Sequence, residues 1–398
     1  MAGIAALAVA YILSQFFRSF LAVLTPVLSS ELGMTKGDLS LASGAFFIVF
    51  ALAQFGVGVS LDRFGPRRTS ALLLGIVGGG GAFLFAAAST PWMVIVAMGL
   101  IGLGCSSILM AALFIFAKTY PPARFAVLAS WMVAFGTAGN VIGAAPLAYA
   151  EQLFGWRHVM VGLGIFTVLI AIVTLAIVRD PEREDHAHND MGLSGYIELF
   201  RMPVLWGIIP LMALSYAPAL GIRGLWAGPY LTDVYGADAL LIGRVTLFMA
   251  LGMVAGAFAY GPLDTLFGTR KWVGVAGNVI SLIALAFFAI QPMPELLVTE
   301  IVLVVIGVTG VSYGLLMAHA RAFLPKHLVG RGVTLMNFFS IGGIGVMQFV
   351  TGAVVTRNFT PGAPAAAYQA LFAFYAALIA VAVLIYLFSR DARPERPG

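Results

Sequence analysis

The stretch GVSLDRFGPRR at residues 58–68 decides the fold, because GPLDTLFGTRK at residues 261–271 repeats its order of residues. In both stretches a glycine is followed by an aspartate, a second glycine and two basic residues, and each stretch lies between two long apolar runs. The second copy has one extra residue between Asp264 and Gly268, and Thr265 replaces Arg63. A loop duplicated together with its flanking runs indicates two related halves.

The composition is that of a polytopic membrane protein. Of the 398 residues, 61% are hydrophobic and 10% are charged, and the mean hydropathy is +1.00, far from the values of soluble domains. Apolar runs of about 20 residues can cross roughly 30 Å of hydrocarbon as helices, and these runs lack the alternation of barrel strands. The sequence predicts twelve spans, at residues 4–29, 38–61, 69–89, 92–117, 125–150, 158–178, 203–231, 245–263, 272–291, 296–320, 332–356 and 365–389.

Basic residues predict the orientation of these spans. Most of them fall in the loops that share a side with both termini, namely Arg63, Arg67, Arg68, Lys118, Arg124, Arg179, Arg183, Arg201, Arg270, Lys271, Arg321, Lys326, Arg331, Arg390, Arg393 and Arg396. Only Lys36, Arg157, Arg244 and Arg357 fall on the opposite side. The positive-inside rule therefore predicts that both termini are cytoplasmic. The same bias explains the net charge of +5, so the lipid bilayer, and no nucleic acid, is the expected partner.

The longest polar stretch, RDPEREDHAHND at residues 179–190, divides the chain. We expect an N-terminal six-helix bundle at 1–179, a cytoplasmic central loop at 180–202 and a C-terminal six-helix bundle at 203–398. His186 and His188 lie in this charge-rich loop, where histidines are usually solvated rather than metal-bound. The single Cys105 excludes an intrachain disulfide and a cysteine-rich metal site. Neither a metal site nor a cofactor is expected.

This arrangement resembles the major facilitator superfamily, whose loop between helices 2 and 3 reads G-x-x-x-D-R-x-G-x-R-R. The first copy meets that pattern in full, and Gly155, Trp156 and Arg157 match the N-terminal half of the family. The resemblance implies an all-α integral membrane protein with 12 transmembrane helices in two pseudo-symmetric six-helix bundles. It also implies a transporter and not an enzyme, since the spans hold neither a nucleophile with its base nor a metal cluster.

Both copies of the loop predict a conformational latch. Asp62 ends a helix beside basic residues, where a carboxylate can bridge to the N-terminus of a neighbouring helix, and Gly65 allows a tight turn. The predicted latch consists of Gly58, Asp62, Arg63, Gly65, Arg67, Arg68, Asp264, Gly268 and Arg270. The alternative is that the loops act only as topology signals.

Two of the 22 basic residues, Arg18 and Arg223, lie deep within apolar runs. A guanidinium near the bilayer centre costs about 3 kcal/mol and commonly marks a substrate path. Each arginine follows a tyrosine by seven residues, Tyr11 and Tyr216 respectively. The second pair belongs to YAPALGIRGLWAGP at residues 216–229, whose proline and glycines predict an interrupted helix of the kind that builds transporter sites.

In the superfamily, spans 1, 4, 7 and 10 line a central cavity, and the resemblance implies that the two arginines face each other there. Two guanidiniums without nearby carboxylates need a negative partner, and their planar geometry suits a carboxylate or a phosphate. This layout resembles the organophosphate:phosphate antiporter and anion:cation symporter branches. The predicted substrate-binding residues are Arg18, Arg223, Tyr11, Tyr216, Ser14, Trp226 and Tyr313. The alternative is that both arginines serve as structural contacts to helix carbonyls.

Glu300 and His319 in span 10 are the candidate coupling residues, by elimination. We predict a secondary active transporter that moves a small carboxylate-type organic anion by alternating access, coupled to protons or another ion. It is expected to be a monomer in the bacterial inner membrane. The alternatives are an organophosphate/phosphate exchanger and proton-driven efflux of a drug-like compound. Met98 and the stretch NVIGAAP at 140–146 depart from the drug:proton antiporter motifs, which disfavours the last alternative.

Overall fold

The computed structural model describes residues 2–120, 122–181, 194–325 and 328–392, and this part of the chain consists of helices and short connections. The helices of the first half are α1 (Ala2–Phe16), α2 (Leu21–Leu32), α3 (Lys36–Phe64), α4 (Pro66–Leu72), α5 (Gly79–Ala86), α6 (Pro91–Cys105), α7 (Ile108–Thr119), α8 (Pro122–Ile142), α9 (Ala145–Phe154) and α10 (Trp156–Ile177). A π-helical segment, Leu73–Gly78, joins α4 to α5.

The helices of the second half are α11 (Ser194–Phe200), α12 (Pro203–Trp206), α13 (Ile209–Leu214), α14 (Ala217–Gly221), α15 (Ala227–Tyr235), α16 (Ala239–Phe267), α17 (Arg270–Ile290), α18 (Leu296–Gly310), α19 (Tyr313–Arg321), α20 (Val329–Asn358) and α21 (Ala365–Tyr386). A second π-helical segment, Ile222–Trp226, joins α14 to α15.

The described helices confirm an all-α, multi-pass membrane fold. Ten helical stretches are long and apolar enough to cross a membrane, and up to 12 spans result when each of two bent pairs is taken as one span. The first pair is α1 with α2, bent by 49°, and the second joins the end of α8 to α9, bent by 42°. The observed spans lie close to the predicted ones, as with Lys36–Leu61 for 38–61 and Trp156–Ile177 for 158–178.

Contacts between Cα atoms divide the chain into two compact units. The first contains the residues before the gap at 182–193, together with Gly224–Thr232 and Ala237–Leu247. The second contains the remaining described residues, including α17 to α21. The domain boundaries expected from the sequence, 1–179, 180–202 and 203–398, stay a prediction.

Local sequence explains where several spans begin and end. The Thr35 hydroxyl accepts a hydrogen bond from the Asp38 backbone N–H, and the Asp38 carboxylate accepts one from the Thr35 N–H, so a capping box starts α3. Gly65 adopts φ +82° between α3 and α4, a conformation that residues with a Cβ rarely adopt. Pro66 then occupies the first turn of α4, where its missing N–H costs no helical hydrogen bond.

Spans 1, 4, 7 and 10 are each interrupted near their middle. Span 1 breaks at residues 17–20 and span 4 at residues 106–107. The π-helical Ile222–Trp226 interrupts span 7, and residues 311–312 interrupt span 10. Backbone groups released from helical hydrogen bonds inside a membrane are tolerated where protein or a water-filled cavity surrounds them. These four breaks therefore mark where a polar site can form.

Candidate functional site

Arg18 lies in the break of span 1 and belongs to the first unit. Its guanidinium carbon lies 4.6 Å from the centre of the Phe50 ring of α3, a cation–π contact. Its Nε is buried and has no hydrogen-bond acceptor within the described residues. In the same part of the chain, no carboxylate forms an ion pair with Arg18. The charge is thus held inside the first unit without a protein anion beside it.

Spans 1, 2 and 4 of the same unit carry buried polar groups. The Ser14 hydroxyl of α1 is buried with no hydrogen-bond partner among the described residues, and the buried Cys105 thiol of α6 lies within electrostatic range of Arg18. Gln54 of α3 donates a hydrogen bond from Nε2 to the Ser106 carbonyl oxygen at 3.0 Å, in the break of span 4. The sequence prediction included Ser14 but missed this amide and the serines of span 4. The polar doublet Ser106–Ser107 within an apolar run is the signal that could have found them.

Tyr11 lies on α1 before the break and packs against α8. Gln15 donates a hydrogen bond from Nε2 to the Tyr11 hydroxyl oxygen at 3.0 Å. Gly136 of α8 meets the Tyr11 ring so closely that a Cβ there would overlap it. The structure therefore fixes this predicted residue between two helices of the first unit.

Arg223 lies in the π-helical segment of span 7 and is 1% exposed. Tyr216 lies within electrostatic range of its guanidinium, so the predicted tyrosine and arginine do come together in the second unit. Two residues before Arg223, a Cβ on Gly221 would lie 2.6 Å from the Tyr375 hydroxyl oxygen and 3.3 Å from Gln348 Nε2. Spans 7, 11 and 12 thus bring two buried polar side chains close to the segment that carries the arginine.

The residues that follow Arg223 pack on the backbone of span 1, within the first unit. A Cβ on Gly224 would lie 3.0 Å from the Arg18 carbonyl oxygen, and one on Gly228 would overlap the Ala22 carbonyl. Trp226, predicted as a binding residue, is fully buried between these two glycines in the chain. Small residues are what allow helices to approach this closely in a membrane.

Tyr313 begins α19, directly after the break of span 10. Its hydroxyl donates to Asn337 Oδ1 of α20 at 3.0 Å. In the break itself, the Ser312 hydroxyl accepts from Asn278 Nδ2 of α17 at 3.2 Å. Asn278 Oδ1 is buried with no donor among the described residues. Several polar side chains of the second unit thus lie together at the break of span 10.

The two candidate coupling residues lie at opposite ends of span 10. Glu300 is the fifth residue of α18 and is half-buried. His319 is fully buried near the end of α19, where Nδ1 lies 2.6 Å from the Tyr386 hydroxyl and Nε2 lies 2.9 Å from the Arg390 carbonyl oxygen. Because a carbonyl only accepts, Nε2 carries the proton and Nδ1 accepts from Tyr386. His319 is therefore tied to the end of α21.

In the first loop copy, the structure places Arg67 against the residues that follow span 6. The Arg67 backbone N–H donates to Asp180 Oδ1 at 2.8 Å, and its Nε donates to the Leu175 carbonyl oxygen at 2.5 Å. Arg63 stacks on the neighbouring Phe64 ring at 5.3 Å. The other predicted members are Gly58, exposed on α3, Arg68, exposed on α4, Gly65 in the turn described above, and Asp62, whose side chain lies outside the described ones.

In the second loop copy, Arg270 Nε and Asp264 Oδ2 form an ion pair at 3.2 Å. Arg270 also donates to the Ala318 carbonyl oxygen at 3.4 Å, which connects the loop to α19. Gly268 has φ +65° and makes the turn between α16 and α17. The three predicted members of this copy therefore form one cluster where α16 turns into α17.

Each loop copy has an acidic partner that the sequence prediction missed. Asp391, shortly after span 12, accepts from the Thr269 hydroxyl at 2.6 Å and from the Lys271 backbone N–H at 3.0 Å. Lys271 Nζ donates to the Leu387 carbonyl oxygen at 2.7 Å. In the first unit, Asp180 likewise accepts from the Arg67 backbone N–H, and the Arg67 side chain donates to the Leu175 carbonyl oxygen. The repeated dipeptide Arg-Asp, at 179–180 and 390–391, is the signal that could have found both carboxylates.

These two carboxylates each cap the third span of their unit through the first backbone N–H groups, where a negative charge is stabilised by the helix dipole. We name the two pairings the strap contacts: Asp180 with Arg67, and Asp391 with Thr269 and Lys271.

The described residues form an all-helical, multi-pass protein in which spans 1, 4, 7 and 10 are interrupted, with Arg18 half-buried and Arg223 buried in two of these interruptions, as is typical of membrane transporters. Residues 7–228 and 211–398 match the Major Facilitator Superfamily, so that each half of the chain is covered. The chain belongs to this superfamily. Like the family and its relatives, it is a transporter and not an enzyme.

Three curated relatives are similar over most of their length. A probable sulfoacetate transporter of Cupriavidus necator is 22% identical over 310 residues, covering 70% of each chain. A sialic acid transporter of Escherichia coli is 23% identical over 353 residues, covering 86% of this chain and 84% of the relative. A glycerol-3-phosphate transporter of Bacillus subtilis is 24% identical over 374 residues, covering 82% and 80%.

Among solved structures, the chain resembles a bacterial homolog of the human lysosomal transporter Spinster in an inward-facing, occupied conformation. The TM-score is 0.76 at 19% identity, and the match covers 97% of this chain and 96% of the other. At this identity the likeness concerns the fold.

Proposed function

We propose that this transporter moves a small organic anion of the carboxylate type by alternating access between two six-helix bundles. The observation that carries the proposal is the placement of the only two intramembrane basic residues in the sequence, Arg18 and Arg223, in the interrupted parts of spans 1 and 7. A buried guanidinium needs an anion to offset its desolvation. For Arg18 no carboxylate among the described residues fills that role.

The surroundings of each arginine offer further groups that an anion can contact. Gly224, which follows Arg223 in the chain, packs on the carbonyl of Arg18. Tyr216 lies within electrostatic range of Arg223. Tyr11 and Ser14 lie on α1, the helix that ends just before Arg18. Planar guanidinium groups bind a carboxylate with two parallel hydrogen bonds, and the tyrosine and serine hydroxyls can bind further oxygens of the substrate. Trp226 and Tyr313 complete the proposed site.

The relatives support the choice of substrate class. Sulfoacetate and sialic acid, the substrates in the names of two relatives, are both organic anions. A carboxylate-bearing substrate fits a site built on two guanidinium groups, whereas a lipophilic cation would be repelled from it. This charge argument disfavours efflux of a cationic drug-like compound.

A second candidate is exchange of an organophosphate for phosphate. The glycerol-3-phosphate transporter among the relatives favours it, and a guanidinium pair also suits phosphate. The two candidates differ in which anion stabilises the protein.

Ligand-induced stabilisation of the purified protein tests the proposal and separates the candidates. A ligand that binds the folded state raises its melting temperature by mass action. We expect sugar acids, sialic acid or sulfoacetate to stabilise the protein, and glycerol 3-phosphate, inorganic phosphate and a lipophilic cation to have no effect. Stabilisation by the phosphates alone would establish the second candidate, and stabilisation by the cation alone would contradict both.

The arginine pair is tested with the stabilising anion from that panel. Arg18→Lys and Arg223→Lys should each weaken binding about 30-fold or more, because an ammonium cannot reproduce the two parallel bonds. Arg321→Lys, at the exposed last residue of α19, is the matched control and should bind normally. A well-folded Arg223→Lys protein with unchanged affinity would overturn the two-arginine site. If the variants lost thermal stability while the protein that remained folded bound the anion normally, the arginines would have a structural role.

The proposal includes coupling and location. We place the protein in a bacterial inner membrane as a monomer with both termini cytoplasmic, because the curated relatives above are bacterial and the basic loops share the side of the termini. Protons are the proposed coupling ion, with Glu300 as carrier. To take a proton on Nδ1, His319 would have to reverse its hydrogen bond with Tyr386, so that the imidazolium donates to the hydroxyl oxygen, and it joins the proposal only on that condition.

A further inference from the structure

A groove of about 450 Å³ opens on the second unit between α16, α17 and α18. Its walls include Gly256, Tyr260, Trp272, Gly277 and Ile280. Every lining residue lies at position 256 or later, so the groove belongs entirely to the second unit. It is separate from the arginines of the proposed anion site.

Small residues create the groove. Gly256 meets the backbone of Val308 and Gly277 meets the Tyr260 ring, in both cases without room for a Cβ, so α16 touches α17 and α18 at these points. Ala259 and Ala276 lie beside them and leave the space above the contacts unfilled. The helices therefore enclose a cleft that their own side chains do not occupy.

The surface of the groove is apolar, because its polar atoms are satisfied within the protein. The Tyr260 hydroxyl donates to the Thr309 carbonyl oxygen at 2.6 Å. The Thr309 hydroxyl donates to the Val305 carbonyl oxygen at 2.8 Å. A lining of aromatic rings, alanines and aliphatic side chains offers a polar solute no hydrogen bond, whereas a hydrocarbon chain loses nothing by entering it.

The depth of the groove corresponds to one leaflet of a bilayer. It runs from Thr269, in the turn before α17, to Ile280, ten residues after the first residue of that helix. At about 1.5 Å per residue this is roughly 15 Å, half of the roughly 30 Å hydrocarbon core. Phe267, Trp272 and Ile280 are exposed along it by 65%, 56% and 48%, so the groove is open along its length.

A positive charge and an indole stand at the mouth. Lys271 Nζ lies 5.3 Å from the centre of the exposed Trp272 ring, the kind of side chain that marks the headgroup level of a membrane. The ammonium donates to the Leu387 carbonyl, and no carboxylate within the described residues forms an ion pair with it. Its remaining N–H groups and its charge are complementary to a phosphate.

We propose that this groove binds one acyl chain of an anionic glycerophospholipid, with the lipid phosphate held at Lys271. The chain fills the cleft between α16, α17 and α18 from the leaflet that borders the turn before α17. The charge at the mouth selects an anionic headgroup over a zwitterionic one. The site is independent of the transported substrate.

Native mass spectrometry of the purified protein, titrated with phosphatidylglycerol or phosphatidylcholine, tests the acyl site. We expect one phosphatidylglycerol to be retained preferentially. Ala259→Phe, which fills the groove, should lower that occupancy about tenfold, because buried methylene groups drive acyl binding. Ala257→Phe is the matched control: it makes the same change at an exposed position of α16 that does not line the groove, and it should retain the lipid.

Lys271→Gln tests the headgroup contact in the same titration. It should reduce the preference for phosphatidylglycerol over phosphatidylcholine about fivefold, since one basic residue near the surface contributes about that much. Arg321→Gln removes an exposed charge beyond the groove lining and should leave the preference unchanged. Melting temperatures of all four variants exclude loss through unfolding.

Three results would overturn all or part of the proposal. Equal lipid retention by the Ala259→Phe and Ala257→Phe proteins would show that the groove holds no acyl chain. A dimer whose abundance falls with Ala259→Phe alone would assign the groove to a second copy of the chain. An unchanged headgroup preference in Lys271→Gln would remove the phosphate contact from the site.

Discussion

At the scale of single residues, the first unit depends on positions where only a hydrogen fits between two helices. Gly139 of α8 faces the backbone of α1, and a Cβ there would overlap the Ile12 carbonyl oxygen. In a membrane, where lipid is as apolar as the side chains, close packing and not hydrophobicity holds helices together. The same reasoning applies to Gly228 against Ala22. Such glycines position the break that carries Arg18.

Gly139→Ala should lower the stability of the protein by about 1 to 3 kcal/mol, because α1 and α8 must separate to admit the methyl group. The thermal unfolding midpoint of the purified protein measures this loss. Gly162→Ala in α10 is the control, since a Cβ at Gly162 has no atom within 4 Å. If both variants melted at the temperature of the unchanged protein, close approach of α1 and α8 would not stabilise the fold.

At the scale of helices, each unit repeats one design: interrupted helices carry the polar groups, and a carboxylate shortly after the last span caps the third span. At the break at 106–107, the Gln54 amide donates to the Ser106 carbonyl oxygen, and at the break at 311–312, the Asn278 amide donates to the Ser312 hydroxyl. The strap contacts of Asp180 and Asp391 join the end of each unit to its loop motif. The loop motif therefore acts through these carboxylates as well as through its own residues.

The strap contact of Asp391 predicts a dependence of stability on pH. Burial alone would raise the pKa of the Asp391 carboxyl, but the Thr269 hydroxyl and the Lys271 amide outweigh it and hold the pKa below its ordinary value. Because the pKa is lower in the folded state, the ionised carboxylate stabilises the fold above the ordinary pKa. This stabilisation is lost as the pH falls through the lowered value.

Unfolding midpoints between about pH 5 and pH 3 measure the effect. The Asp391→Asn protein should start with a lower midpoint at pH 5 and lose less on acidification than the unchanged protein. Other carboxylates titrate in both proteins, so the difference between the two curves isolates Asp391. Parallel curves would contradict a contribution from this carboxylate.

Glu300 in α18 carries the prediction for coupling. Glu300→Gln should leave exchange of the anion measurable in proteoliposomes but abolish its response to an imposed pH gradient, because an amide cannot carry a proton. Glu295→Gln, an exposed carboxylate at the N-terminal end of the same helix, is the matched control and should keep the response. Uptake by the Glu300→Gln protein that still follows the gradient would exclude this role.

At the scale of the whole molecule, membership of the superfamily predicts one orientation for all twelve spans. In a Cys105→Ser background, His186→Cys and Asn358→Cys should report opposite sides of the membrane. Asn358 is exposed at the end of α20, and replacing Cys105, the single cysteine of the sequence, leaves no competing thiol in the background. We expect an impermeant thiol reagent to label position 358 from outside the cell and position 186 only after the membrane is opened. The reverse pattern would invert the topology.

The sequence by itself determined the class of fold. The apolar runs had to become spanning helices, because backbone polar groups in hydrocarbon must bond within their own segment. The repeated loop motif indicated two halves, and the structure places most predicted spans within a few residues of their observed bounds. Arg18 and Arg223 were found as candidates because a charge in an apolar run stands out against its neighbours.

Only the tertiary structure decided what surrounds those residues. Asp391 and Lys271 are 120 residues apart, and Gln54 and Ser106 are 52 apart, so no local pattern could pair them. The π-helical form of Ile222–Trp226 likewise depends on which helices press against span 7, and the sequence indicated only that the span would be interrupted. The groove beside Trp272 arises from glycines on different helices. Local sequence sets burial and helix formation, whereas hydrogen-bond partners and cavities depend on which helices meet.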